Sequence, residues 1–135
     1  MPFRVCYYHV VWATKGRSPL ITPRVEKVIF AAIRRKSTEL KSPILAINSA
    51  ADHVHIAVSI STTVAVSEWV RQVKGVSTYE VNTTFSLSEH FRWQRGYGVL
   101  TFGKRQLEFV AEYIKNQKTH HRYNEVINYL ERLEE

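Results

Sequence analysis

Apolar and polar residues alternate along four short stretches of the chain, at residues 3–13, 44–49, 53–60 and 91–102. A period of two is typical of β-strands, because successive side chains point to opposite faces of a sheet. The first stretch is largely apolar on both faces, which predicts a central strand. The second and third are joined by a short turn and are expected to form an antiparallel hairpin. The fourth contains Gly96 and Gly98, so it predicts either a strand or an irregular hairpin.

Four further segments have apolar residues at helical spacing, which predicts amphipathic helices. The first begins at Thr22-Pro23, a favourable capping pair, and extends to about residue 41, where Ser42-Pro43 ends it. The others cover residues 66–81, 104–121 and 122–135. In the third of these helices Tyr113 and Gln117 are one turn apart, so their side chains emerge together.

This order of elements, β-α-β-β-α-β followed by helices, is the split βαβ arrangement of ferredoxin-like domains. We therefore predict an α+β fold with an antiparallel sheet, helices on one face, and C-terminal helices that carry Tyr113. A length of 135 residues fits one domain that spans residues 1–135. The open face of such a sheet is a common place for single-stranded nucleic acid to lie.

Two histidines share one face of the third predicted strand. His53 and His55 alternate with apolar residues, so we expect both imidazoles to stand on the open face of the sheet, where they could reach one divalent cation. Asp52 precedes them and is the type of residue that orients a ligating imidazole through its second ring nitrogen. The alternative is that these are surface histidines or that one is a hydrogen-bonded core residue. His9 in the first strand is a further metal or phosphate candidate, with a structural role as its alternative.

The charge of the chain indicates a polyanionic partner. Lysine and arginine number 19 against 12 acidic residues, a net charge of +7, and the basic residues are spread over several elements rather than gathered in a tail. In the segment 91–102, Trp93 and Tyr97 could stack on unpaired bases while arginines hold phosphates, or these aromatics could belong to the core. The candidate DNA-binding residues are Lys15, Arg17, Arg71, Lys74, Arg92, Trp93, Arg95, Lys104 and Arg105.

Composition excludes several other classes of protein. A single cysteine, Cys6, excludes a disulfide framework and a cysteine-based zinc site, and it favours a reducing, cytoplasmic compartment. No apolar run approaches the ~18 residues of a membrane span. The opening residues have no signal-peptide hydrophobic core. We therefore expect neither a membrane partner nor a small-molecule substrate.

Several motifs together resemble the single-tyrosine transposases of the HUH nuclease superfamily, in which HUH denotes histidine, hydrophobic residue, histidine. The chain carries His53-Val54-His55 after Asp52, and then Tyr113-Ile114-Lys115-Asn116-Gln117 on a late helix. The opening strand, residues 8–15, and the helix segment 69–77 look like the same family. The segments 93–98 and 117–121 are most similar to the branch associated with repetitive extragenic palindromes (REP).

The resemblance implies a metal-dependent enzyme that cuts and rejoins single-stranded DNA next to small hairpins. His53, His55 and Gln117 would be the metal ligands, Mg²⁺ or Mn²⁺ the ion, and Tyr113 the nucleophile that forms a covalent 5′-phosphotyrosine. His120 is a rival third ligand. Members of the family are homodimers, in which the tyrosine helix can complete the site of its own or of the other subunit. The alternative from another class is a non-catalytic or domesticated single-stranded nucleic-acid-binding module of ferredoxin-like fold.

Overall fold

A computed structural model describes residues 4–117 as a four-stranded sheet with three α-helices. The strands are β1 (Tyr7–Ala13), β2 (Ile44–Ser49), β3 (His53–Ser59) and β4 (Gly98–Phe102), and the helices are α1 (Pro23–Glu39), α2 (Val66–Thr84) and α3 (Leu107–Lys115). Short 3₁₀ turns occupy Lys15–Arg17 and Lys104–Gln106. The predicted helix at 122–135 and the end of the helix predicted at 104–121 lie outside the described residues.

The strand order is β2-β3-β1-β4, and every neighbouring pair is antiparallel. β3 lies between β1 and β2, and β1 lies between β3 and β4, so each βαβ unit is split by one strand. The predicted ferredoxin-like α+β fold is confirmed, as are the central position of the first strand and the β2–β3 hairpin.

Helices α1 and α2 cover one face of the sheet. The Thr22 side chain caps α1 by accepting a hydrogen bond from the backbone N–H of Val25, as the Thr-Pro pair predicts. Both helices bury their apolar stripes on the sheet, and each fully buried aliphatic or aromatic side chain contributes about 1.5–3 kcal/mol. The main core comprises Val10, Trp12, Val25, Ile29, Ile33, Val54, Ile56, Val58, Trp69, Val73 and Phe91, together with partly buried neighbours.

The second face of the sheet is covered by α3 where β2 and β3 run beneath it. Ile114 of α3 packs with Ala46 and Ala57 in a small separate core. The expectation that the two histidines stand on an open face is therefore wrong, since His53 is 3% exposed and His55 is fully buried. The physical reason is that β3 is flanked on both edges by strands and lies between helices on both faces.

The segment between α2 and β4 is more irregular than the sequence predicts. Only residues 98–102 of the predicted stretch 91–102 form a strand, and Trp93 adds one isolated bridge to Thr14. Helix α2 continues to Thr84, three residues beyond the predicted end. None of the helices within residues 4–117 is long and apolar enough to cross a membrane.

Candidate metal centre and nucleophile

His53 and His55 lie on β3 with their ring centroids 5.4 Å apart. The strand pairing sets His53 opposite Ala13 and His55 opposite Val11 of β1. The side chains of Ala13 and Val11 are small enough to leave room for the imidazoles. Because the strand is held by neighbours on both edges, its register and the separation of the two rings are fixed by backbone hydrogen bonds.

His53 is oriented through its Nδ1 atom. Nδ1 lies 2.6 Å from the Asp52 carboxylate, which confirms the expected contact, and the same carboxylate accepts a hydrogen bond of 2.9 Å from Arg17 Nε. Arg17 has a left-handed backbone, φ 57°, directly after Gly16 at φ 64°. This tight reversal brings the guanidinium back toward Asp52. A carboxylate acceptor holds the proton on Nδ1 of His53, so Nε2 carries the lone pair that a metal requires.

His55 meets His9 of β1. The distance from His9 Nε2 to His55 Nδ1 is 2.7 Å, and both side chains are buried. Of the alternatives for His9, a metal or phosphate contact or a structural role, the observed hydrogen bond to His55 favours the structural role. A proton shared between these two nitrogens is incompatible with a metal held between them.

Gln117 comes to His53 from the end of α3. Its Nε2 lies 3.2 Å from His53 Nε2, and the side chain is 3% exposed. Two contacts fix this end of the helix: Ile114 is fully buried on the sheet, and the Asn48 amide donates a 2.9 Å hydrogen bond to the Lys115 carbonyl. Gln117 and both imidazoles are thus brought together within a single chain.

Burial keeps the three histidines neutral. It lowers the pKa of His9 to about 4 and lowers the pKa of His55 well below its usual value, where His9 and His53 add repulsion. Burial also lowers the pKa of His53, although Asp52 opposes that change. For Asp52 itself burial acts to raise the pKa, but the hydrogen bonds from His53 and Arg17 outweigh it and the net pKa is lowered. Near pH 7 the imidazoles therefore need lose no proton before binding a cation.

The donor set fits a divalent cation with a mixed preference for nitrogen and oxygen. Within residues 4–117 no three His, Cys, Asp or Glu side chains are grouped so that they could hold a metal ion. The side chain that contacts His53 Nε2 is the Gln117 amide. In the present arrangement the Gln117 amide nitrogen faces His53 Nε2. A half-turn of that amide presents its oxygen instead, a ligand type that suits Mg²⁺ and Mn²⁺.

Tyr113 lies on α3 one helical turn before Gln117. Its ring stacks on Phe109, with centroids 6.5 Å apart and planes 27° from parallel. Phe109 is 72% exposed, whereas Tyr113 is half-buried and its hydroxyl oxygen is covered. In the structure α3 ends at Lys115 and Gln117 follows it by two residues, so the expectation that the phenol and the Gln117 amide emerge on one side of the helix stays a prediction. His120, the rival ligand, lies outside the described residues.

Four of the nine candidate DNA-binding residues line one groove of about 760 Å³ beside α2, namely Lys74, Arg92, Trp93 and Arg95. Lys74 Nζ donates to the backbone carbonyls of Gln94 and Gly96, at 3.1 and 2.5 Å. This lysine therefore also shapes the loop that forms the groove wall.

Trp93 packs against the core and also lines this groove, and stacking of its ring on bases stays a prediction. Its Nε1 donates to Ser77 at 2.9 Å, and its ring packs edge-on against Trp12 and Phe91. The ring is therefore anchored in the core, while its remaining exposed part lines the groove.

The other candidate DNA-binding residues are dispersed. Lys15 shares a smaller neighbouring groove with Arg92. Arg17 is committed to Asp52, and Arg71 is ion-paired with Glu68 on the surface of α2. Lys104 and Arg105 are exposed in the 3₁₀ turn that precedes α3.

Sequence reasoning missed two residues that support the site. The sequence predicts a DNA contact for Arg17, which stays a prediction, but it does not indicate the hydrogen bond by which the guanidinium orients Asp52. Asn48 was not singled out, although it faces His55 across the β2–β3 pairing and holds the end of α3. The alternation of β2 would have placed Asn48 on the histidine face, but its contact with α3 required the helix position.

Comparison with known proteins identifies relatives of this chain. The transposase IS200-like family model matches residues 3–117. The transposase for insertion sequence element IS200 of Salmonella typhimurium is 33% identical over 118 residues, covering 83% of this chain and 76% of that protein.

Two solved structures share the fold. A crystal structure of a candidate transposase from Deinococcus radiodurans superposes with a TM-score of 0.71 and 24% identity, covering 86% of this chain and 93% of the other. A REP-associated tyrosine transposase bound to a REP hairpin superposes with a TM-score of 0.65 and 16% identity, covering 91% and 75%. The family match over residues 3–117 and the 33% identical relative together establish that the chain belongs to the IS200-like transposase family.

Proposed function

We propose that this transposase cuts and rejoins single-stranded DNA beside hairpins through a covalent bond to Tyr113, with Mg²⁺ or Mn²⁺ as cofactor. The observation that supports the proposal most strongly is the 3.2 Å contact between His53 Nε2 and Gln117 Nε2, because Gln117 follows Tyr113 of α3 by four residues. A phenol beside a cation site is the minimum that phosphodiester attack by tyrosine requires.

His53, His55 and Gln117 would hold the cation through two imidazole nitrogens and one amide oxygen. The bound ion supplies charge neutralisation and polarisation of the scissile phosphate. Asp52 and Arg17 keep the proton of His53 on Nδ1, and the covering helix α3 excludes water from the imidazoles. Exclusion of water favours transfer to the tyrosine over simple hydrolysis.

The Tyr113 hydroxyl is the nucleophile in this proposal. Its oxygen gives up its proton and forms a new bond to phosphorus, while the bond from phosphorus to the 3′ oxygen breaks. The departing oxygen takes up a proton to become a 3′-hydroxyl, so the step consumes no net proton. The phosphate ester is retained on the tyrosine, so a 3′-hydroxyl can reverse the step and join a strand without an external energy source. The hydroxyl oxygen of Tyr113 is buried in this structure. The side chain therefore has to rotate toward the DNA strand before it attacks.

Single-stranded DNA with a hairpin is the proposed substrate. One structural neighbour was solved with a REP hairpin bound, and this chain carries a net charge of +7. Arg92 and Arg95 are exposed on the groove that Trp93 lines, so phosphate contacts and a stacking surface are available there. We further propose a homodimer as the working form, which sedimentation of the protein with and without DNA would test.

The test is a covalent-capture gel. The purified chain is incubated with Mn²⁺ and a pool of single-stranded oligonucleotides that carry a hairpin with randomised flanks and a label at the 3′ end. We expect the label to run with the protein after denaturation, because the tyrosine retains the 5′-phosphate of the downstream fragment. Chelation of Mn²⁺ and the Tyr113→Phe substitution should each abolish the adduct.

Tyr79 offers a matched control, because it is also on a helix and is 67% exposed. The Tyr79→Phe variant should form the adduct as the unmodified chain does. An adduct that persists in Tyr113→Phe would place the nucleophile elsewhere. Binding of the oligonucleotides with no cleavage under any metal condition would favour the alternative of a non-catalytic nucleic-acid-binding module.

A further inference from the structure

We propose that His9 is a positioning residue that selects the metal-binding tautomer of His55, an inference that rests on the proposed metal site. The observation is the buried contact of 2.7 Å between His9 Nε2 and His55 Nδ1. His9 is not itself a ligand in this scheme, because its nitrogen faces the side of the His55 ring that is turned away from His55 Nε2.

The proton shared by His9 Nε2 and His55 Nδ1 can be bonded to either nitrogen. The two positions differ in whether His55 Nε2 carries a proton or a lone pair. If His9 donates, His55 Nδ1 accepts, and a neutral His55 then carries its proton on Nε2, where it blocks a metal. If His9 accepts, His55 holds its proton on Nδ1 and exposes a lone pair on Nε2. A neutral imidazole has one donor and one acceptor nitrogen, so these are the only two arrangements with a hydrogen bond.

The second arrangement repeats at His55 what Asp52 does at His53. Asp52 receives the Nδ1 proton of His53 at 2.6 Å, and His9 would receive the Nδ1 proton of His55. Both supporting residues are fixed by the backbone: Asp52 precedes β3, and His9 is held on β1 opposite Ala57. Partners of this kind typically change metal affinity 10- to 100-fold when they are removed.

The test compares two substitutions of His9 by their affinity for Mn²⁺ alone, measured from the electron paramagnetic resonance signal of unbound Mn²⁺. His9→Gln keeps an acceptor oxygen about as far from the backbone as Nε2, whereas His9→Leu keeps bulk and removes the acceptor. We expect His9→Gln to stay within about threefold of the unmodified chain and His9→Leu to bind about 10- to 100-fold more weakly. Ile29→Val, in the core on the opposite face of the sheet, controls for loss of stability and should bind Mn²⁺ normally.

Two outcomes would overturn the inference: a folded His9→Leu variant that binds Mn²⁺ as tightly as the unmodified chain, or a His9→Gln variant that loses as much affinity as His9→Leu. If His9→Leu does not fold, nitrogen NMR of the unmodified, metal-free chain decides. We expect the proton of His55 on Nδ1, and a proton on Nε2 would refute the proposal. Failure of the unmodified chain to bind Mn²⁺ would instead refute the proposed function. The NMR measurement would still show which nitrogen of His55 carries the proton.

Discussion

Acid should destabilise this protein in a pH range set by His9. Burial lowers the pKa of His9 from 6.5 to about 4, so between these values the unfolded chain binds a proton that the folded chain does not. Stability therefore falls as the pH drops from about 6.5 toward 4. At about 1.36 kcal/mol per pH unit the full effect is about 3 kcal/mol, of which about 2 kcal/mol is lost by pH 5. His55 and His53 face the same cluster and shift in the same direction.

Urea unfolding followed by tryptophan fluorescence, in the presence of a chelator, measures this loss at pH 7.5 and pH 5. Trp12 and Trp69 are fully buried and report directly on the core. The comparison is with His9→Gln, which cannot gain a proton at position 9. We expect the unmodified chain to lose about 2 kcal/mol more than His9→Gln over this interval. Equal losses in the two proteins would refute the reasoning that His9 is held neutral by burial.

Three further predictions concern the helix, the histidine support and the groove. Ile114→Ala should lower the free energy of unfolding by about 2–5 kcal/mol because it empties the contact that seats α3 on the sheet, as urea unfolding at pH 7.5 would show. Asp52→Ala should weaken Mn²⁺ binding about 10- to 100-fold in a metal titration, and an unchanged affinity would argue against its orienting role. Replacing Arg92 and Arg95 by Gln should weaken binding of single-stranded DNA and flatten the dependence of log affinity on log salt by about 0.7 per lost phosphate contact. Arg34→Gln, at an exposed position of α1 outside the groove, is the matched surface control.

The order and type of the elements could be predicted because local patterns determine them. The Thr22-Pro23 cap, the alternation in β3 and the apolar repeat of α1 and α2 each carry their own signal. The segment 91–97 could not be predicted in this way. Its conformation depends on Trp93 packing against Trp12 and on Lys74 donating to two loop carbonyls, and both contacts join distant parts of the chain.

The sequence predicts which side chains the candidate site contains but not their burial or their supporting contacts. The period of two places His53 and His55 on one face of β3. The helical period predicts that Tyr113 and Gln117 emerge together, whereas α3 ends at Lys115, before Gln117. Helix α3 lies across β3 because Ile114 packs against Ala46 and Ala57. No local sequence pattern specifies this contact. In the same way, the contacts of His9 with His55 and of Arg17 with Asp52 follow from strand register and from a tight turn.

The most direct test of the central claim is mass spectrometry of the captured protein–DNA adduct after trypsin and nuclease digestion. Cleavage after Arg105 and Lys115 releases the peptide 106–115, whose one hydroxyl-bearing residue is Tyr113. We predict that the mass of this peptide is increased by one or more nucleotides, joined through a 5′-phosphate, when Mn²⁺ is present. The peptide should be unmodified when Mn²⁺ is removed by a chelator. A nucleotide found on any other peptide, or cut DNA with no modified peptide at all, would contradict the account.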